Sequence, residues 1–210
     1  MNEIWVSLFV AWGVQAASLL SPGPSVLFLL SVASSKGRTH ALSATVGIGG
    51  AAVVWSTATV VGLSAMLSNA GQLLHVMKIV AAVYLLWLAW KSFRSAASSH
   101  VLTTKNPIES GGILRSMGMG FIMQISNPKA IFFWLAIASL GATAEGPQWV
   151  PFVFVLVSVS LSVVIHAGWA LAFSTSMALS VYSKARRWIE ATLGVLFAAA
   201  AIRLATSRDV

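Results

Sequence analysis

From Ile4 to Ser34 the chain reads as one long apolar run, broken once, at Ser21-Pro22-Gly23-Pro24-Ser25. Proline has no amide proton and its ring clashes with the preceding turn, and glycine gives up helical order easily. This pentapeptide therefore cannot sit inside an undisturbed helix. In hydrocarbon the backbone groups it frees are costly unless they are buried in protein or line a wet cavity. A kink used only for packing is the plain alternative, since Gly and Pro are frequent in membrane helices. Two prolines around a glycine with serines on both sides point instead to a binding site, because discontinuous helices mark the sites of transporters.

The rest of the chain keeps the apolar character of that first run. Of its 210 residues 58% are hydrophobic and 9% charged, and the mean hydropathy is +0.86. Further runs follow near residues 41–67, 73–93, 112–140, 150–173 and 188–204. The fold expected is all-α and polytopic, with six transmembrane helices in a lipid bilayer. The absence of cysteine excludes disulfides, thiolate catalysis and cysteine metal sites. The formal charge of +8 would suggest nucleic acid in a soluble protein; here it reads as the Lys/Arg excess of cytoplasmic loops, and no nucleic-acid partner is expected. Met1 to Leu20 carries Glu3 and no basic residue ahead of its apolar stretch, which is the wrong pattern for a cleaved secretory signal.

A second break interrupts the fourth run at Asn127-Pro128-Lys129. The polar stretch 96–111 is the one clear linker, and it divides a single membrane domain, 1–210, into halves 1–95 and 112–210. Each half begins with a broken helix, and three spans per half give opposite insertion, so an inverted three-plus-three repeat with broken helices 1 and 4 is expected. The loops after runs one, three and five hold Lys36, Arg38, Lys91, Arg94, Lys105, Arg115, Lys184, Arg186 and Arg187, nine of the thirteen basic residues. By the positive-inside rule these loops are cytoplasmic and both termini face outward. Arg203 and Arg208 run against that assignment.

Few ionisable groups lie within the runs. Lys78 sits near the outer end of its span and can snorkel to the interface. Glu190, beside Arg186 and Arg187, reads as a surface ion pair. Lys129 follows Asn127-Pro128 directly. If the helix restarts at Pro128, Asn127 is a good N-cap, and the new N-terminus with the Lys129 charge suits a carboxylate. The competing reading has Lys129 snorkelling to the cytoplasmic headgroups. His166, in mid-run, can change charge near neutral pH, or can simply be a structural histidine bonded to a helix carbonyl. Gln15, Ser21, Ser25, Thr57, Thr59, Tyr84, Gln124, Ser126, Ser158, Ser160 and Ser162 are the other polar groups able to line a pathway. No metal site and no cofactor are indicated.

One rival chemistry is an intramembrane serine hydrolase. Gly62-Leu63-Ser64-Ala65 approaches the Gly-x-Ser-Gly element of such enzymes, with His166 as the partner of Ser64. The match lacks the last glycine, and small-residue patterns are frequent in membrane helices. No Walker motif points to ATP.

Taken together, the motifs resemble the LysE/RhtB-type amino-acid exporter family over nearly the whole chain. The resemblance is carried by Ser21-Pro22-Gly23-Pro24, Lys36-Gly37, Gly47, Gly62-Leu63, Tyr84-Leu85 with Trp87-Leu88, Trp90 and Arg94, and Gly120-Phe121 leading to Asn127-Pro128-Lys129. It implies export of amino acids or related small metabolites across the bacterial inner membrane, driven by the proton motive force. Substrate is then expected on Ser21, Pro22, Gly23, Pro24, Tyr84, Asn127, Pro128 and Lys129. The chain departs from the family where an aspartate is common in run five, since Ser162 stands there, and no Pro-Gln-Phe follows Ser139. His166, one turn from Ser162 on the same face, is the substitute expected for proton coupling. Self-association stays open.

Overall fold

The computed structural model describes residues 2–21, 23–67, 71–98, 111–139 and 147–206. Eight helices account for nearly all of them: α1 Asn2–Leu20, α2 Pro24–Lys36, α3 Arg38–Leu67, α4 Gly71–Ala97, α5 Ile113–Ile125, α6 Pro128–Ser139, α7 Trp149–Ala172 and α8 Ser176–Thr206. Both breaks fall where proline and glycine demand them. Pro24 opens α2 behind the N-cap Gly23, and Pro128 opens α6, the helix position that tolerates a residue without an amide proton. Gly37 closes α2 at φ 82, a conformation natural only to glycine, and its N–H returns to the Ala33 carbonyl.

Among the described residues four helices are long and apolar enough to cross a membrane: α1, α3, α7 and α8. The pair α5 and α6, bent by 55° at the break, makes a fifth span if taken as one. Six spans in an inverted repeat are the expectation, and the described residues show four to five. In the first run α1 alone is long enough to cross, and α2 is a shorter apolar helix that follows the break. The run 73–93 lies within α4. A second difference concerns Lys184, Arg186 and Arg187, expected in a turn before the last span. The turn lies at residues 173–175 and these residues sit inside α8. Arg187 donates to the Ala96 carbonyl and Arg186 to Ser95, so the extra turns of α8 dock on the end of α4.

The faces of α7 show what solvent this fold expects. Its buried stripe is Val150, Phe154, Ser158, Ser162, His166 and Trp169, whereas Phe152 is 76% exposed, Leu156 68% and Val164 67%. Polar groups point inward and large apolar ones outward, the arrangement lipid favours. Helices α3 and α7 pack together at the centre. Helix α5 lies along α3, α1 along α7, and α4 along α8. The α3–α5 contact is backbone on backbone: a Cβ on Gly47 would strike the Met117 carbonyl, and one on Gly120 the Ala44 carbonyl. Glycine is required at both for that approach. His40 Nδ1 lies 2.9 Å from Ser116 Oγ, so α3 and α5 start side by side.

Candidate functional site

The first break leaves α1 with carbonyls that no later amide can serve. The Ser18 carbonyl would look to residue 22, a proline without a proton. The last bond of the helix runs from the Ser21 N–H to Ala17 O at 3.1 Å. Beyond it, partners come from distant helices. Lys129 Nζ, from α6, donates to Ser18 O and Ser21 O, each at 2.7 Å. Trp169 Nε1, from α7, donates to Leu19 O at 3.1 Å. Lys129 therefore does not snorkel to headgroups; it turns inward and lays its charge on the negative end of α1.

The second break is closed by its own residues. Asn127 Oδ1 accepts the Lys129 backbone N–H at 3.0 Å, the N-cap bond expected from the sequence. Asn127 Nδ2 donates to Ser25 Oγ at 2.8 Å, and Ser25 Oγ donates to Gln124 Oε1. Asn127, Ser25 and Gln124 are all buried, so one polar chain ties the start of α2 to the bend between α5 and α6. Helix α1 is fixed to α7 in addition by Gln15 Nε2 donating to Ser158 O at 2.8 Å.

Between the breaks lies a narrow cavity. Its polar lining is Gln15, Ser18, Ser21, Ser25, Gln124, Asn127, Lys129, Ser162 and His166, and its apolar wall includes Val26, Phe133 and Trp134. His166 Nδ1 sits 2.8 Å from the Ser162 carbonyl. A carbonyl only accepts, so Nδ1 carries the proton and Nε2 is left as an acceptor. His166 is thus both bonded to its own helix and part of the cavity wall. Among the described residues no three His, Asp or Glu side chains gather to hold a metal ion.

Of the residues expected at the site, Ser21, Gly23, Asn127, Lys129, Ser162 and His166 line this cavity. Pro24 and Pro128 flank it as the first residues of α2 and α6, and Pro22 lies outside the described residues. Tyr84 stands elsewhere: its ring stacks on Phe132 with centroids 4.8 Å apart, and its hydroxyl donates to the Lys129 carbonyl at 3.3 Å. It braces α6 from the side away from the cavity. The side chain of Ser64 is outside the described residues, as is that of Lys78.

Glu190 requires a correction. Instead of a surface ion pair it is a buried carboxylate, 2% exposed, between α8 and α4. Ser95 Oγ donates to its Oε1 at 3.2 Å, and Arg186 Nη2 donates to that same hydroxyl at 2.8 Å. A signal for this was present: Glu190 shares helical phase with Leu193, Gly194, Phe197, Ala201 and Leu204, all buried. Ser18 and Trp169 also escaped sequence reasoning, the first because it works through its carbonyl and the second because its partner is 150 positions away.

The chain is 27% identical to the threonine efflux protein of Escherichia coli (strain K12) over 202 residues, 93% of this chain and 95% of that one. It is 27% identical to the leucine efflux protein of Enterobacter sp. (strain 638), covering 90% of each. It is 23% identical to the uncharacterized membrane protein YahN of Escherichia coli (strain K12), covering 97% of this chain and 93% of that one. No solved structure matches significantly. The LysE type translocator profile matches residues 16–208, nearly the whole chain and both breaks, so this is a multi-pass membrane protein of the LysE type translocator family, a transporter and not an enzyme.

Proposed function

We propose that the chain is a secondary exporter of an amino acid or a related small metabolite across the bacterial cytoplasmic membrane. The observation that carries this is the pair of helix ends at the first break. Helix α1 ends in carbonyls, a partial negative charge, and α2 begins with no side-chain cap on its N-terminus, a partial positive one. Both ends open on the same cavity. An ammonium and a carboxylate on one carbon match such a pair. Asn127, Pro128 and Lys129 supply the facing wall from the second break, and Tyr84 acts from behind it. The names of the relatives, threonine and leucine efflux proteins, support the same substrate class.

Each half opens on two helices parted by a proline-containing break and continues with two long ones, α1 to α4 and α5 to α8, which supports two inverted halves, 1–95 and 112–210, rocking about the cavity. In this reading the basic loops are cytoplasmic and both termini lie outside. Export is driven by the proton motive force, with His166 beside Ser162 carrying the proton. Purified protein in liposomes, given an imposed proton gradient, is expected to move threonine or leucine; no flux of any amino acid, with an established exporter active in parallel, refutes the function. His166→Asn keeps an amide donor at the Nδ1 position for the Ser162 carbonyl and removes the titrating group, so it is expected to retain downhill flux and lose the response to the gradient. A gradient response equal to that of the unaltered protein refutes the coupling role.

A further inference from the structure

We propose that the carbonyl pair of Ser18 and Ser21 is the ammonium subsite of the cavity, and that Lys129 is its resident plug, a tethered ammonium held where the substrate's own ammonium goes. This rests on the reading of the cavity as the amino-acid site and deepens it. Two carbonyl oxygens at 2.7 Å from one nitrogen are a chelate of ammonium size, and a primary ammonium has the N–H groups to fill it. The lane into it is kept by Gly23. A Cβ there would lie 2.9 Å from Lys129 Cδ and 3.3 Å from Nζ, so a side chain at 23 would push the lysine out of its seat.

The surroundings decide which ligand fits. No carboxylate is among the residues lining the cavity, so the two-carbonyl seat, once Lys129 leaves it, is the place where an arriving ammonium is held. Exchanging one ammonium for another leaves the charge on the end of α1 unchanged, which keeps displacement inexpensive in a buried site. The released Lys129 then has the substrate carboxylate to turn to. The ligand class is a zwitterion with a primary ammonium and an uncharged side chain. A second cationic group would find no counter-charge in the lining, and a quaternary or acylated nitrogen lacks the N–H donors.

The test needs no transport, so its failure is separable from failure of the exporter reading. Lys129→Met and Lys129→Gln are purified in detergent, and folded yield and melting temperature are measured with n-butylammonium, tetramethylammonium or n-butanol. The expected result is a Lys129→Met protein less stable than the unaltered one, raised by about 3–5 °C at ten times the dissociation constant of n-butylammonium. Neither tetramethylammonium nor n-butanol should raise it. If Lys129→Met gives no folded protein, the same rescue is expected in the folded yield when n-butylammonium is present throughout expression and purification, and in the melting temperature of Lys129→Gln, whose amide serves one carbonyl. Lys129→Met as stable as the unaltered protein overturns the proposal. So does rescue by n-butanol or tetramethylammonium to the same extent, which would mean simple filling of space, and so does the absence of n-butylammonium rescue in both variants.

Discussion

The two helix breaks are alike in sequence and opposite in construction. At Asn127-Pro128-Lys129 the chain carries its own repair: the asparagine caps the new helix from one residue before it. At the first break the freed carbonyls of Ser18, Leu19 and Ser21 take donors from α6 and α7, more than a hundred residues away. A self-capped break is a fixture. A break held by borrowed groups depends on how the distant helices pack against it. The difference assigns roles: the second break positions Lys129, and the first receives what Lys129 gives up.

The largest effect is expected from Lys129→Ala, which strands two carbonyls and removes the charge. Leaving buried acceptors unserved costs about 1–3 kcal/mol each, so a melting temperature lower by several degrees and export reduced by about two orders of magnitude are expected in the liposome assay. Full export by this variant would erase the contrast between the breaks. Next comes Asn127→Ala. It removes the cap, at about 1–2 kcal/mol, and lets go of Ser25. Substrate affinity is expected to fall by about tenfold; an unchanged melting temperature would show that the second break does not depend on its own cap.

The breaks were legible because proline and glycine act locally, and so was the N-cap at Asn127 for the same reason. The helix boundaries at Pro24 and Pro128 follow from one missing proton each. What was not legible depended on partners far apart in the chain. Nothing near Lys129 tells whether its flexible stem runs to headgroups or inward to Ser18 and Ser21; that is decided by how α6 crosses α1. Tyr84 sits among residues that mark the family, yet its hydroxyl meets the backbone of α6 rather than the cavity. Glu190 was misread for a different reason. Its neighbours Arg186 and Arg187 suggested a surface, while the phase it shares with Leu193 and Phe197 indicated burial, and the helix obeyed the phase.

Two smaller substitutions sharpen the contrast by touching one break each with the same kind of loss. Trp169→Phe keeps the ring against Phe173 and Tyr182 but withdraws the donor from Leu19 O, one of the borrowed bonds at the end of α1. About 1 kcal/mol of stability is expected to go, together with several-fold in substrate affinity, since the carbonyl end of the cavity is loosened. Tyr84→Phe keeps the stack on Phe132 and withdraws the donor from Lys129 O at 3.3 Å, a long bond expected to contribute about 0.5 kcal/mol. It lies behind the self-capped break, so affinity is expected to stay within twofold of the unaltered protein. Both variants lose one hydrogen bond to a carbonyl and retain an aromatic ring, and a melting curve with a substrate titration reads both. If Tyr84→Phe lowers affinity more than Trp169→Phe does, the borrowed and self-made breaks are not distinct, and the second break, not the first, receives the ligand.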